Sequence, residues 1–229
     1  MESWKKRLIE LFPPTRESFD LGDKVGIGID GFWHQEISSG IVLPIKRAVK
    51  NGKTTWLTPY EMTYGGLIKE YRKAKKEAII VPPRIINARK NAYLISINPA
   101  PGLKRCFEKI SDEALTGLIA HELAEVSLAI KEPNYHERIT HHNLPEAKVD
   151  QIAAKKGYKK QVRAYLELLM ENVNYITPRP KEQNSLISLL ETFLGVNVIS
   201  LDEPQPKISR KDYVEAVKLQ INERITSLN

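Results

Sequence analysis

The segment between Ser111 and Pro133 constrains the fold of this chain more than any other part. Ser111 is a residue type that caps helix N-termini, and the acidic Asp112 and Glu113 follow in the first turn, where negative charge is favoured. Apolar residues then recur at helical spacing and form one stripe, consisting of Leu115, Leu118, Ile119, Leu123, Val126 and Ile130. The pattern predicts a helix from Ser111 to about Lys131 that packs against a core.

The residues before this helix have the patterns of strands. Glycines punctuate apolar and β-branched stretches over 25–57, and the pair Asn51 and Gly52 is typical of a two-residue hairpin turn between strands at 45–49 and 54–57. A helix is expected over 59–77, followed by strands at 78–81 and 92–97.

The rest of the chain reads mostly as helix. At the amino terminus, Trp4, Leu8 and Leu11 predict a short amphipathic helix that ends before Pro13. After the long helix, Pro145 suits the first turn of a helix that Gly157 terminates, and further helices are expected at 160–175, 185–194 and 210–227.

These elements define an α+β chain with a small amino-terminal sheet and a mostly helical carboxy-terminal part. We expect an amino-terminal helical extension at 1–24, a core at 25–160 and a helical extension at 161–229, with one compact domain as the alternative.

The length and cysteine content limit the class of protein. A chain of 229 residues can bury a substantial core, and the single Cys106 excludes both a disulfide framework and a cysteine-based metal cluster. The first residues carry charges throughout, unlike a secretory signal, and the chain contains no apolar run long enough to span a bilayer. We therefore expect a soluble cytoplasmic protein.

The chain is basic, with a formal net charge of +7 and a pI near 9.3. Much of this charge falls in short runs at 72–76 and 155–160, which are typical of a solvated helix face. A Gly-rich phosphate loop, an aromatic RNA platform and zinc-finger spacing are all absent from the sequence, so nucleic acid is a weakly supported partner.

Three residues of the long helix have the spacing of a metal site. His121 and Glu125 are four residues apart, so both side chains emerge from one helix face and can reach a common ion. Glu122 lies obliquely beside that face, where its carboxylate can reach the attacking water without displacing it. Catalytic metal sites generally need three protein ligands and one open position, so a third ligand must come from elsewhere.

The next predicted helix offers a third ligand. Glu146 and Asp150 are again four residues apart, and the intervening loop is long enough for the two helices to pack together. Glu146 can complete the ligand set, and Asp150 can accept the distal N–H of His121 and fix the tautomer of that ring.

These residues resemble the gluzincin metallopeptidases, whose signature is H-E-x-x-H on one helix and E-x-x-x-D on the next. The corresponding stretches here are HELAE at 121–125 and EAKVD at 146–150, and the resemblance covers residues 78–160. It implies a zincin-like fold and a zinc-dependent hydrolase acting on a peptide or protein substrate. It also implies that the strand at 92–97 serves as a sheet edge that holds extended substrate.

One position departs from this signature, because Glu125 stands where the family has its second His. Two carboxylates and one imidazole neutralise a divalent ion, so the metal should polarise its bound water less than a site with two imidazoles would. Such an oxygen-rich ligand set also makes Mn or Fe a sensible alternative to zinc. His141 or His142 could also replace Glu125 as a ligand.

Two functions follow from the sequence. The first is a metal-dependent peptidase in which His121, Glu125 and Glu146 hold the ion and Glu122 is the general base. The alternative is a catalytically inactive zincin-fold protein that binds peptide or nucleic acid, since loss of the second His is also what a decayed relative would show. The terminal helices could cover the cleft in either case, and the sequence does not indicate the oligomeric state.

Overall fold

The computed structural model describes residues 3–29, 40–50, 53–57, 79–81, 92–99, 103–131, 146–175 and 210–229. Within these residues the helices are α1 (Ser3–Ser18), α2 (Lys104–Phe107), α3 (Asp112–Lys131), α4 (Glu146–Ala153), α5 (Lys159–Glu171) and α6 (Arg210–Ser227). The strands are β1 (Val25–Ile29), β2 (Gly40–Lys50), β3 (Lys53–Leu57), β4 (Ile79–Val81) and β5 (Ala92–Ile97). The predicted α+β class is confirmed, while the helices expected at 59–77 and 185–194 lie outside the described residues.

The five strands form one mixed sheet in the order β3-β2-β5-β1-β4. β1 and β5 are parallel, with Val25 opposite Tyr93, and the remaining pairs are antiparallel. β5 is therefore an interior strand, and the expectation that residues 92–97 form a sheet edge was wrong. Every residue of β5 is buried. Its almost continuous apolar sequence is typical of a strand that is covered on both faces.

The predicted hairpin is confirmed by the pairing of β2 with β3. Lys50 lies opposite Lys53, which is the register that a two-residue connection imposes. The turn residues themselves lie outside the described part of the chain.

α1 continues through Pro13 and Pro14 to Ser18, so the prediction that it ends before Pro13 was wrong. Proline inside a helix costs about 3 kcal/mol because it lacks the N–H donor and crowds the preceding turn. Phe12 and Thr15, on either side of the prolines, are both buried, and the Thr15 hydroxyl donates to the Leu11 carbonyl at 2.7 Å. Tertiary packing of Phe12 and Thr15 offsets the local cost of the prolines.

α3 begins where the sequence predicts, with a side-chain cap. The backbone N–H of Ala114 donates to Ser111 Oγ at 3.1 Å, which satisfies one of the free donors of the first turn. From Ala114 to Ala129 nearly all of α3 is buried, and it packs against the sheet, α1, α4 and α5. The helix that carries the candidate site is thus the central element of the fold. Ile130, the last residue of the predicted stripe, is 47% exposed, so its predicted place in the core was wrong.

The break predicted at Gly157 is present, although α4 itself already ends at Ala153. A π-helical turn over Ala154–Tyr158 connects α4 to α5, and Gly157 has a φ of 96° within it. A positive φ of this size is readily adopted only by glycine, so this residue reverses the local path of the chain. α6 has the bounds that the sequence predicts.

The buried apolar residues form a continuous core to which both ends of the chain contribute. Trp4 and Leu8 of α1 belong to it, as do Val217 and Ile221 of α6. Cys106 is half-buried and its thiol donates to Asn172 Oδ1 at 2.8 Å, in keeping with a structural role. Within the described part of the chain, none of the helices has the length and apolarity of a membrane span.

Candidate metal centre

Three side chains of α3 converge in the interior of the protein. His121, Glu122 and Glu125 are 5%, 1% and 8% exposed, and each offers a nitrogen or oxygen ligand atom within 4.8 Å of the others. The four-residue spacing brings His121 and Glu125 onto one face, as the sequence indicates. Carboxylates are rarely this buried unless they are paired with a cationic group or bind a metal ion. We therefore expect the cluster to have a positively charged partner.

α4 supplies the other two predicted residues, and both contact the His121 ring. Nε2 lies 3.2 Å from Glu146 Oε2, and Nδ1 lies 2.8 Å from Asp150 Oδ1. Asp150 is fully buried, whereas the Glu146 side chain is 25% exposed. The two helices therefore hold one imidazole between two carboxylates, one on each ring nitrogen.

Arg224 of α6 is a further member of the cluster, and it was missed at the level of sequence. Its Nε donates to Asp150 Oδ2 at 2.7 Å, its Nη2 donates to Asp150 Oδ1 at 3.1 Å, and its Nη1 lies 3.4 Å from Glu146 Oε2. The guanidinium side chain is only 7% exposed. It is a fixed positive charge that contacts the carboxyl groups of both Asp150 and Glu146.

A sequence signal for Arg224 exists in the apolar stripe of α6. The buried positions of that helix recur at spacings of three and four residues, at Val214, Val217, Ile221, Arg224 and Leu228. A charged residue at a core position of a helix is expected to contact a buried partner of opposite charge. The charged Arg224 in this apolar stripe could therefore have been identified as a candidate from the sequence.

The carboxylates on either side of His121 control its protonation. Burial alone lowers the pKa of His121, but the charge of Asp150 and the hydrogen bonds to Asp150 and Glu146 outweigh burial, so the pKa lies well above its usual value. Asp150 shows the reverse: burial raises its pKa, yet the charges and hydrogen bonds of His121 and Arg224 hold it well below the usual range. The two carboxylates therefore favour the protonated ring, which can donate to both of them.

Glu122 and Glu125 hold their protons more tightly than ordinary carboxyl groups. Burial raises the pKa of Glu122 to about 7, even though the charge of His121 opposes the shift. Burial and the charge of Glu122 raise the pKa of Glu125 well above its usual value. A hydrogen bond between the two lowers the pKa of Glu122 and raises that of Glu125.

The Glu122 carboxyl also has an unused acceptor. Its Oε2 is buried and has no hydrogen-bond partner among the residues that the structure describes. A buried acceptor without a partner costs free energy unless water or an ion satisfies it. The imidazole of His121 and the carboxyl groups of Glu125 and Glu146 form a donor set that suits a divalent transition metal with one water, and this free oxygen of Glu122 could accept a hydrogen bond from that water.

The alternative ligands His141 and His142 lie outside the described residues, so they stay a prediction.

The basic run at 155–160 makes contacts with neighbouring surface groups. Lys156 pairs with Asp20 at 2.9 Å, Lys160 pairs with Glu113 at 3.1 Å, and Lys159 donates to the Asn229 carbonyl at 3.3 Å. These contacts fit a solvated helix face better than a free phosphate-binding surface.

Comparisons of the chain with protein-family models, with curated proteins and with solved structures each found no match.

Proposed function

We propose that this protein is a metal-dependent peptidase in which His121, Glu125 and Glu146 hold the ion and Glu122 is the general base. The proposal is carried by the buried cluster of His121, Glu122 and Glu125 on α3. Glu146 of α4 lies 3.2 Å from His121 Nε2, and one buried Glu122 oxygen has no hydrogen-bond partner among the residues that the structure describes. The mixed sheet packed on α3 is compatible with a zincin-like fold, which belongs to the same proposal.

A bound zinc ion supplies a Lewis acid that makes water nucleophilic near neutral pH and polarises the scissile carbonyl. The chain's own part in the reaction is proton transfer. Glu122 takes the proton of the attacking water and later delivers it to the leaving amine. A general base works best when its pKa lies near the working pH, and burial raises the pKa of Glu122 to about 7.

The other residues of the site bind the metal or orient the residues that bind it. Asp150 accepts from His121 Nδ1, which leaves Nε2 for the metal. Glu125 and Glu146 provide oxygen ligands, and with two carboxylates the site accepts Mn or Fe as well as zinc.

The test compares the native chain with Glu122→Gln, which keeps the shape of the side chain and removes the base. We expect peptide cleavage to fall about 10²- to 10⁴-fold while bound metal per chain is unchanged. Glu113→Gln is the matched control, because Glu113 lies on the same helix, pairs with Lys160 at the surface and should leave cleavage as it is. Stoichiometric metal with equal cleavage by native protein and Glu122→Gln would refute a catalytic role for Glu122.

A second candidate, a non-catalytic binding protein, is favoured by Arg224. Arg224 and His121 both contact Asp150 and Glu146, so these two carboxylates have positive partners within the protein itself. Elemental analysis of protein purified without added metal distinguishes the two candidates. A metal-free protein that gains no thermal stability from added Zn²⁺, Mn²⁺ or Fe²⁺ would favour the binding protein.

A further inference from the structure

We propose that Arg224 is a positioning residue of the metal centre: it fixes the Asp150 carboxylate, and through Asp150 the His121 ring, with Nε2 directed at Glu146. This inference rests on the proposed metal site. Arg224 belongs to α6, whereas the proposed ligands belong to α3 and α4.

The geometry of the guanidinium favours this role. Nε and Nη2 bind the two oxygens of the same carboxylate, at 2.7 and 3.1 Å from Asp150. Such a two-point contact fixes the plane of a carboxylate, which a single hydrogen bond leaves free to rotate. Because Asp150 Oδ1 also accepts from His121 Nδ1 at 2.8 Å, fixing that plane fixes the imidazole.

The contact between Arg224 Nη2 and His121 Nδ1, at 3.3 Å, follows from the same arrangement. Arginine has only donors, and the ring nitrogen facing Asp150 carries a proton, so the two nitrogens are not bonded to each other. Both donate to Asp150 Oδ1, which brings them close. A single oxygen thus links the arginine to the ring.

The helix that carries Arg224 is anchored on both sides of it. Ile221 is fully buried one turn before Arg224, and Leu228 is buried one turn after it. At the end of the chain, the Asn229 backbone and side chain accept hydrogen bonds from Lys159 and Arg163 of α5. A guanidinium on such a support can hold another group in place, because its own position is determined by the core.

The alternative role is a counter-ion that competes with the metal for Glu146. Nη1 lies 3.4 Å from Glu146 Oε2, longer than both hydrogen bonds to Asp150. The two roles predict opposite changes. Removing a competing cation tightens metal binding, whereas removing a positioning residue weakens it.

The experiment measures the zinc dissociation constant of the full-length chain by competition with a chelator. The variants are Arg224→Gln, Arg224→Lys, Asp150→Asn and the double variant Arg224→Gln/Asp150→Asn. Lys218→Gln is the matched control, because Lys218 lies on the same helix and pairs only within it in the described contacts, with Glu215 at 2.8 Å. The ¹⁵N shifts of the His121 ring are recorded for each metal-free variant.

We expect Arg224→Gln to weaken zinc binding about 10- to 100-fold, the usual effect of removing a residue that orients a metal ligand. Arg224→Lys keeps the charge without the two-point contact and should recover only part of the loss. The double variant should bind zinc no more weakly than Asp150→Asn, since Arg224 acts through Asp150. The ring shifts should change when Arg224→Gln is made in the native chain and should not change further when it is added to Asp150→Asn, since Arg224 acts through Asp150.

Equal or tighter zinc binding by folded Arg224→Gln would overturn the proposal, and so would losses that add in the double variant. If Arg224→Gln alone fails to fold because Asp150 is left unpaired, the double variant, in which neither charge remains, still supplies the comparison with Asp150→Asn. If the native chain binds no metal, the proposed function fails. The positioning role is then decided by the ring shifts in metal-free protein, and unchanged shifts in every Arg224 variant would overturn it.

Discussion

The site residues carry charges that water would otherwise solvate, and each buried charge has an identifiable partner. Asp150 lies between His121 and Arg224, and Glu125, whose pKa is raised by burial, is hydrogen-bonded to Glu122. In this arrangement a metal must displace protons, because a ligand nitrogen or carboxylate binds an ion only in its deprotonated form. The residue-scale consequence is a dependence of stability and metal affinity on pH.

We predict that the metal-free protein loses stability as the pH rises from about 5 to above 7. The folded-state pKa values of His121, Glu122 and Glu125 are all raised, so the folded state binds more protons than the unfolded chain in this window. Their stabilising contribution is complete when the pH is below their pKa values in the unfolded chain, near 4.3 for Glu and 6.5 for His. It is lost as the pH rises past their pKa values in the folded protein. Asp150 acts in the opposite direction, because its lowered pKa stabilises the fold above about pH 4 and ceases to do so in stronger acid.

Thermal unfolding between pH 4 and 9, with and without zinc, measures this effect. Stabilisation by zinc should grow with pH, since fewer protons remain to be displaced. Glu125→Gln should reduce the pH dependence, whereas Lys6→Gln, at an exposed position of α1, should leave it unchanged. A zinc-induced stabilisation that decreases between pH 6 and 8 would contradict the assignment of these protons.

At the scale of elements, α3 and α5 approach so closely that a single glycine determines their distance. A Cβ atom at Gly117 would lie 2.0 Å from the Gln161 carbonyl oxygen and 2.9 Å from the Val162 nitrogen. Both are backbone atoms, which cannot move aside as a flexible side chain can. His121 lies one turn after this contact, so the spacing of the two helices also bears on the site.

We predict that Gly117→Ala destabilises the fold by about 1–3 kcal/mol, the usual cost of overpacking. Helix propensity alone predicts the opposite sign, since alanine stabilises a helix interior by about 1 kcal/mol over glycine. Urea denaturation measures the difference. The neighbouring Thr116→Ala, at a partly exposed site on the same helix, should change stability by no more than about 0.5 kcal/mol. A stabilised Gly117→Ala would show that α5 can move away freely.

At the scale of the whole molecule, both ends of the chain take part in one core. Leu8 of α1 and Ile221 of α6 are fully buried, and both belong to the same apolar cluster as the site helix. Helices that contribute to a core in this way are not detachable covers. Removing either one exposes apolar surface, so a gain of activity on trimming is not expected.

We predict that Leu8→Ala and Ile221→Ala each destabilise the protein by about 2–5 kcal/mol, as for other large-to-small substitutions in a core. Each variant should still unfold in one cooperative transition, because the two ends belong to the same unit. Lys6→Ala on α1 is the control, since Lys6 is 70% exposed and pairs with Glu10 at 3.9 Å. Denaturation curves followed by fluorescence and circular dichroism test this. A separate early transition in either variant would indicate an independent terminal segment.

The sequence was sufficient for features that depend on neighbours along the chain. The capped start of α3, the β2–β3 hairpin and the break at Gly157 were predicted because capping, turn geometry and positive φ are local properties. The spacing of His121 and Glu125 also put them on one face, because helical periodicity fixes side-chain direction.

Tertiary structure decided the features that depend on distant residues. α1 passes through Pro13 because Phe12 and Thr15, on either side of the prolines, are buried, and β5 is an interior strand because β1 and β2 both pair with it. Arg224 lies 74 positions after Asp150 in the chain, and only the packing of α6 brings the two together. The sequence by itself thus determined which ligating side chains share a helix face, whereas the fold alone decided which charges surround them, since electrostatic contacts depend on distance in space.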